Sequence, residues 1–567
     1  MSGIRRLPGV IYRDDLFAKQ CFAEGSWLDL TMGEALRKTA ARVPDRIAFA
    51  SETDSITFRQ FDELTERLAA SLIESGVAPG ERAIFQMGTV LDTAIALLAC
   101  LKAGIVPVCT IPQYREIEIG QLTVLSGASA YFVQADFGQF DLVGFAQSMQ
   151  ARHPQLSHLI VARGDARGSL SQHALIEKMP LDRARTILGA VQISSRDCFA
   201  FQLSGGSTGV PKIIPRFHGE YLAHGPAWSH QQKMDEHSVA VWSLPILHNA
   251  GMVYAIIPCI LDGRTTVLLS RPDISLLLES IQRFRATHAA SIGPIAAQLL
   301  NTRNIGEYDL SSLRFFITMN RADAVEAHLG VKAANLYGIT EGLVMISSPD
   351  DPPAARHGTN GRPCLASDDV RVRNLSDGSW CGHGELGELV FRGASSLTGY
   401  YNAPDLTAET LTPDGYVRTG DLVRSHQLDG KTYFSFEGRL KDNINRGGEK
   451  YGTEEVETLV RSHPAVADVA VVAMPDPILF ERGCAWIIPR PGQSVPDVPA
   501  LGKYLIGKGL AKFKLPERIE TIDSFPVTRV GKLDKAKLRE MVRHKLTTEA
   551  SAPITHAQKA HQEKETS

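Results

Sequence analysis

Residues 198–212 read CFAFQLSGGSTGVPK, an apolar run that leads into a glycine-rich turn carrying several hydroxyls and closed by a lysine. Glycines let backbone N–H groups approach an anion closely. The Ser204, Ser207 and Thr208 hydroxyls would add donors and the Lys212 ammonium a positive charge. Ser204, Gly205, Gly206, Ser207, Thr208, Gly209 and Lys212 therefore read together as a phosphate cradle. It is not a Walker A loop, in which Gly-Lys-Ser/Thr opens a helix, because Val210 and Pro211 separate Gly209 from Lys212. Taken alone, the segment also fits an ordinary surface turn.

Outward from this stretch, apolar runs alternate with helical patterns. FDELTERLAASLIESG (61–76) is amphipathic and ends at Gly76, RAIFQM (82–87) reads as a strand, LDTAIALLACLKAG (91–104) as a buried helix and VPVCTI (106–111) as another strand. The alternation returns in SVAVWSLPI, TTVLL, HAASIG and LRFFITM. Such a pattern predicts an α/β fold, with parallel sheets flanked by helices in a large N-terminal domain over 1–440. Past residue 365 short strand-like pieces separated by turns, VRVRNL, GELVFRG and TYFSFEGR, predict a β-rich subdomain over about 365–440. From 441 a helix, strands and further helices predict a small α+β C-terminal domain reaching 546, and the polar, aperiodic residues 547–567 read as a disordered tail.

The 567-residue chain is too long for one ordinary core, and its 44% hydrophobic and 22% charged residues are those of a globular protein. A net charge of −3 gives no global basic field, so a nucleic-acid partner is not expected and any anion site is local. The eight cysteines lack CxxC spacing and read as reduced thiols, with no metal cluster expected. No apolar h-region opens the chain and no uncharged run reaches the ~20 residues of a membrane span, so the expectation is a cytoplasmic protein without a membrane partner.

Six ordered segments carry more. SGGSTGVPK (204–212), LYGITEG (336–342), GELVFRG (387–393), YVRTGD (416–421), GRLKDNINRGGEK (438–450) and PVTRVGKLDK (526–535) together resemble the adenylate-forming superfamily over roughly 25–546. FQLSGGSTGVPKIIPR, LPILHN, YGITEGLV and KDNINRGGEK are most similar to its stand-alone aryl-acid adenylating enzymes, of the 2,3-dihydroxybenzoate and salicylate type. The resemblance implies ATP and Mg²⁺ as cofactors and an aromatic carboxylic acid as substrate. It further implies a phosphopantetheinylated aryl carrier protein acting in trans, as in siderophore or nonribosomal peptide-type biosynthesis.

The same resemblance distributes roles. The triphosphate would lie over 204–212, Glu341 would bind the Mg²⁺, Thr340 would touch the α-phosphate, and Tyr337 beside Gly338 would lie against adenine. Asp421 suits ribose hydroxyls, since a carboxylate accepts hydrogen bonds side by side, and Arg439 would reach ribose or phosphate. Lys532, on a mobile C-terminal domain, would bridge the substrate carboxylate and the α-phosphate through charge-assisted bonds worth roughly 1.5–3 kcal/mol each. A pivot about the hinge Lys441 would then exchange Lys532 for INRGGEK, where Gly447 and Gly448 would line the passage for the thiol.

In LPILHN, His248 stands at the family's gate position and, by the same resemblance, Asn249 corresponds to the pocket amide that hydrogen-bonds the hydroxyl ortho to the carboxylate. There the chain departs from its relatives. Ala250 replaces an aromatic residue and Tyr254 a small one, and FITMNRAD replaces the usual Gly-Gly-Ala turn. Met319 and Asn320 thus join the candidate pocket, with Leu336 and Val344 as apolar walls. Salicylate, 2,3-dihydroxybenzoate and an aminohydroxybenzoate all fit this reading. An aryl-CoA ligase and a catalytically silent scaffold are the alternatives.

Overall fold

The computed structural model describes residues 3–204, 211–291, 294–319, 321–440, 444–526 and 533–551. Of the sequence-predicted residues, Gly205, Gly206, Ser207, Thr208, Gly209, Asn320, Lys441 and Lys532 lie outside this set. The described residues up to Leu440 form one compact unit and those from Ile444 a second.

Local chemistry explains where the elements of the large unit begin and end. Thr57 opens the helix Phe58–Glu74 with a reciprocal cap: its hydroxyl oxygen accepts from the Gln60 N–H at 3.2 Å, and Gln60 Oε1 accepts from the Thr57 N–H at 2.9 Å. The helix Leu91–Ala103 is apolar all round because it is buried all round, and it stops at Gly104, whose φ of 69° a glycine tolerates.

Two sheets dominate this unit. A seven-stranded sheet runs Leu170–Ser171, His158–Ala162, Ala130–Gln134, Arg82–Gln86, Val106–Cys109, Cys198–Ser204, Lys212–Phe217, parallel except for the last pair. In the nine-stranded sheet, Ala333–Gly338, Phe315–Thr318, His288–Ser291, Val239–Trp242, Thr265–Leu268 and Ile47–Ala50 are parallel, and antiparallel strands close both edges. Strands covered on both faces read as unbroken apolar runs, as FFIT and AYFVQ do. One continuous core joins the sheets, with Phe85 and Phe132 from the first and Trp242 and Phe315 from the second packed around Leu68, Leu97 and Leu98 of the intervening helices.

A four-stranded antiparallel sheet, Asp369–Arg373, Leu386–Arg392, Val417–Leu428 and Lys431–Arg439, forms the β-rich part. In the smaller unit a five-stranded sheet is built around the long pair Val466–Asp476 and Phe480–Pro489, accompanied by the helices Thr453–Arg461, Val498–Gly507 and Lys535–Ser551. The last helix continues to Ser551, past the expected start of the tail at 547, and carries Val542 and Leu538 into the core beneath it. No helix among the described residues is long and apolar enough to cross a membrane.

Candidate functional site

The phosphate-cradle stretch joins two antiparallel strands. Cys198–Ser204 and Lys212–Phe217 pair with Ser204 opposite Lys212, so the next described element is a strand, whereas a Walker loop would lead into a helix. Ser204 ends its strand at the carboxyl edge of the parallel sheet, the edge where ligands bind in open α/β folds. Its hydroxyl donates to Glu341 Oε1 at 3.1 Å, and the Tyr400 hydroxyl donates to the same oxygen at 3.0 Å. Burial, reinforced by the Glu341 charge, pushes the Tyr400 phenol up, so it stays protonated and remains a donor. The Lys212 ammonium lies 4.8 Å from the Tyr400 ring centre, within cation–π range.

Glu341 sits in the turn between Ala333–Gly338 and Val344–Ile346, which pair with Gly338 opposite Val344. Only glycine fits at 342. Its φ is 131°, and a Cβ there would lie 1.9 Å from the Ser395 carbonyl oxygen. Beneath the turn runs a buried polar scaffold that sequence reasoning missed. Arg216 donates to the Thr340 carbonyl at 3.0 Å and the Ser395 carbonyl at 3.3 Å, and it pairs with Glu220 through an Nε–Oε2 contact of 3.2 Å. His224 Nε2 lies 3.1 Å from the Gly342 carbonyl oxygen. Nothing in the sequence marked this pair, because Arg216 lies in the strand Lys212–Phe217 and Glu220 in the helix His218–Leu222, so the i,i+4 spacing is not that of one helix face.

Tyr337 and Asp421 meet. The buried Tyr337 phenol donates to Asp421 Oδ2 at 2.7 Å, and its ring lies 6.2 Å from that of Phe436. Asp421 is set by its own strand: its N–H donates to Thr419 Oγ1 at 3.0 Å, and it stands opposite Arg439 in the ladder. The Arg439 side chain is not among those described.

At the pocket, His248 is exposed and its Nδ1 accepts from the Ala250 N–H at 3.2 Å, capping the short helix that follows. Asn249 is buried with both ends of its amide engaged: Oδ1 accepts from the Tyr221 hydroxyl at 2.7 Å and Nδ2 donates to the Ile339 carbonyl at 3.4 Å. Leu336 and Val344 are buried on facing strands, while Ala250 and Met319 are half-buried against the same core.

Tyr254 owes its place to a proline. Pro258 has no N–H to offer the Tyr254 carbonyl four residues earlier, and the chain runs through a π-helical turn at Met252–Ile256 before an α-helix resumes at Ile257. The buried Arg264 guanidinium takes the orphaned Tyr254 carbonyl at 3.2 Å, and the Thr266 hydroxyl takes that of Ala255 at 3.2 Å. Tyr254 then stacks on Trp228, with ring centres 4.1 Å apart and planes 24° from parallel, and its ring end approaches Gly338, where a Cβ would lie 2.8 Å from the phenol oxygen.

In the smaller unit, Gly447 and Gly448 form the two-residue turn between Ile444–Arg446 and Glu449–Tyr451, with φ of 61° and 100°. Both angles are positive, as a type I′ hairpin turn demands. Within this unit a Cβ on Gly448 would meet nothing within 4 Å, so backbone conformation, not crowding, requires the glycine there.

Two largely parallel sheets flanked by helices, with a glutamate turn bonded to Ser204 at a strand end, are the frame of the site. The chain belongs to the AMP-binding enzyme family, which it matches over residues 36–401, with the AMP-binding enzyme C-terminal domain over 455–532. It is 37% identical to pyochelin synthase PchD of Pseudomonas aeruginosa over 94% of this chain and 96% of that one. It is 34% identical to the 2,3-dihydroxybenzoate-AMP ligase of Bacillus subtilis, covering 95% of this chain and 99% of the relative. Among solved structures, the apo form of MbtA from Mycobacterium smegmatis superposes with a TM-score of 0.70 at 28% identity, over 94% of this chain and 98% of that one.

Proposed function

We propose that this chain is an aryl acid–AMP ligase: it activates an aromatic carboxylic acid with ATP and passes the acyl group to a thiol. The carboxylate attacks the α-phosphorus, the bond to the β-phosphate oxygen breaks, and pyrophosphate leaves as the aryl-AMP forms. The acyl group then moves to the phosphopantetheine thiol of an aryl carrier protein, in siderophore or nonribosomal peptide-type biosynthesis. One observation carries the reading. The turn whose Glu341 bonds to Ser204 also offers the Ile339 carbonyl to Asn249, so the residues read as the triphosphate site and those read as the acid site meet on one turn, which supports the reading.

The residues fit the two expected cofactors. Oε1 of Glu341 is held by two hydroxyls, and its second oxygen would bind the cation. Among the described residues no group of three or more His, Cys, Asp or Glu side chains could hold a metal by itself. A Mg²⁺ bound by one carboxylate together with substrate phosphates suits such a site, and it would neutralise charge on the phosphate oxygens. Ser204, Lys212 and the residues between them orient the triphosphate, the Tyr337–Asp421 pair holds the nucleoside, and Lys532 supplies an ammonium to the reacting carboxylate.

Exchange of labelled pyrophosphate into ATP, measured with a panel of aryl acids, tests the reading. Exchange that depends on an ortho-substituted benzoate is expected, and its absence with every aryl acid would overturn the assignment. Loading of a carrier protein against coenzyme A in the same reaction identifies the thiol, with the carrier expected to win.

A further inference from the structure

One peptide group beside the glutamate turn is gripped at both ends. The Arg13 guanidinium donates to the Ser396 carbonyl oxygen at 3.0 Å and to the Ser396 hydroxyl oxygen at 2.7 Å, both from one nitrogen. The N–H of the same peptide, on Leu397, donates to the Glu341 carbonyl oxygen at 2.8 Å. A peptide is planar, so fixing its carbonyl fixes the direction of its N–H. The positive charge also polarises the group and strengthens the bond at its far end. Around this contact, residues 9–27 lie along residues 394–402: the Trp27 indole N–H donates to the Ala394 carbonyl at 2.8 Å, and the Gly9 carbonyl accepts from the Asn402 N–H at 3.1 Å. The other side of that stretch bears on the turn, through the Tyr400 hydroxyl on Glu341 and the Ser395 carbonyl against Gly342.

We propose that Arg13 is a positioning residue for the metal-binding carboxylate: by holding the 396–397 peptide it holds the main chain of Glu341, so that a segment preceding the family match, which begins at residue 36, sets the affinity for the metal–nucleotide complex. The proposal rests on the reading of Glu341 above and deepens it. The acid side of the turn does not hang from this peptide, because the Ile339 N–H is held within the turn by the Leu343 carbonyl at 3.0 Å. Loss of the guanidinium should therefore loosen the cation and leave acid recognition in place.

The test titrates Mn²⁺–ATP, a spectroscopic stand-in for the magnesium complex, into the acid-free chain and reads free Mn²⁺ by electron paramagnetic resonance. Alongside it, pyrophosphate exchange gives KM for magnesium–ATP and for the aryl acid. Arg13→Met keeps the apolar stem beside the Phe17 ring and removes both bonds to Ser396. It is expected to weaken Mn²⁺–ATP binding about fivefold and to raise KM for magnesium–ATP in step, with KM for the acid unchanged. Arg13→Lys should recover most of the loss, since one nitrogen makes both bonds. A purely structural role would raise both KM values together or lower only the urea midpoint, and either result overturns the proposal, as does a loss that lysine does not reduce. Glu341→Gln separates the two readings in the same titration. If it weakens Mn²⁺–ATP binding and Arg13→Met does not, the proposal alone falls; if neither does, the assignment of Glu341 falls with it. Should Arg13→Met fail to fold, Arg13→Gln, which removes the charge and keeps a donor, decides, unchanged affinity counting against the proposal.

Discussion

Glu341 shows how much one side chain depends on others that only the fold brings near it. Its Oε1 takes protons from Ser204, 137 residues earlier, and Tyr400, 59 residues later. Both donors hold that one oxygen, and in the proposed site the other would meet the cation. Removing one of them should be felt as looser metal–nucleotide binding. Hydrogen bonds to a charged group contribute roughly 1.5–3 kcal/mol, so Tyr400→Phe is expected to raise KM for the magnesium–ATP complex by about tenfold or more. The urea midpoint should change little, because the phenyl ring keeps its packing. Steady-state exchange kinetics at varied ATP would show this, and an unchanged KM would remove Tyr400 from the site.

At the scale of elements, the short helix His218–Leu222 and the strand before it, Lys212–Phe217, act as a beam under the glutamate turn. Arg216 spans from one to the other, neutralising Glu220 while serving the carbonyls of Thr340 and Ser395. Burial alone pushes the Glu220 carboxyl up, and the guanidinium opposes it. A buried pair of this kind adds little net stability over an apolar pair, yet breaking it leaves an uncompensated charge. Arg216→Met should therefore destabilise the large unit by about 3–5 kcal/mol. Adding Glu220→Gln should recover part of that loss, and denaturant titrations of the single and double variants would measure both. If the single variant unfolds like the wild type, the beam carries no load.

Across the whole molecule, two chemistries are assigned to one chain. Lys532→Ala is expected to abolish aryl-AMP formation yet still pass a supplied acyl-adenylate to thiol, and equal loss of both steps would refute that division. At Gly448 a bulky residue should do the reverse; the +100° φ adds strain to any such variant, so its fold must be checked alongside.

Acid should also weaken the large unit in a definite window. Burial pushes His218 down to about 3, His224 to about 4 and His288 to about 3. These imidazoles stay neutral in the fold but take protons near pH 6.5 once unfolded, so their contribution is complete above that value and is lost as pH falls towards 4. Asp368, raised by burial to about 6, binds its proton in the fold first and offsets one of the three. The net of about two protons corresponds to roughly 3 kcal/mol per pH unit near pH 5.5. Urea midpoints followed by tryptophan fluorescence should fall steeply from pH 6.5 to 5, and a rise over that range would contradict the assignment.

Much of this molecule could be read before any coordinates. The alternation of buried strands and helices, the cradle stretch, the glutamate turn, the aspartate of RTGD and the change of texture beyond 365 are local patterns, set by periodicities of a few residues and by the special backbone freedom of glycine. The sequence by itself therefore determined the α/β class, the order of the parts and the kind of chemistry. It could not supply the partners of the reactive groups. Arg216 under Thr340, Tyr221 on Asn249, Tyr400 on Glu341 and Arg264 on the carbonyl that Pro258 leaves orphaned join segments separated by 124, 28, 59 and 10 residues. Even the shortest of these depends on which helix breaks and which strand lies beside it. Burial settles the rest, because a polar group taken from water must find a partner wherever packing has placed one. The tertiary structure thus decided which groups hold each end of the Asn249 amide.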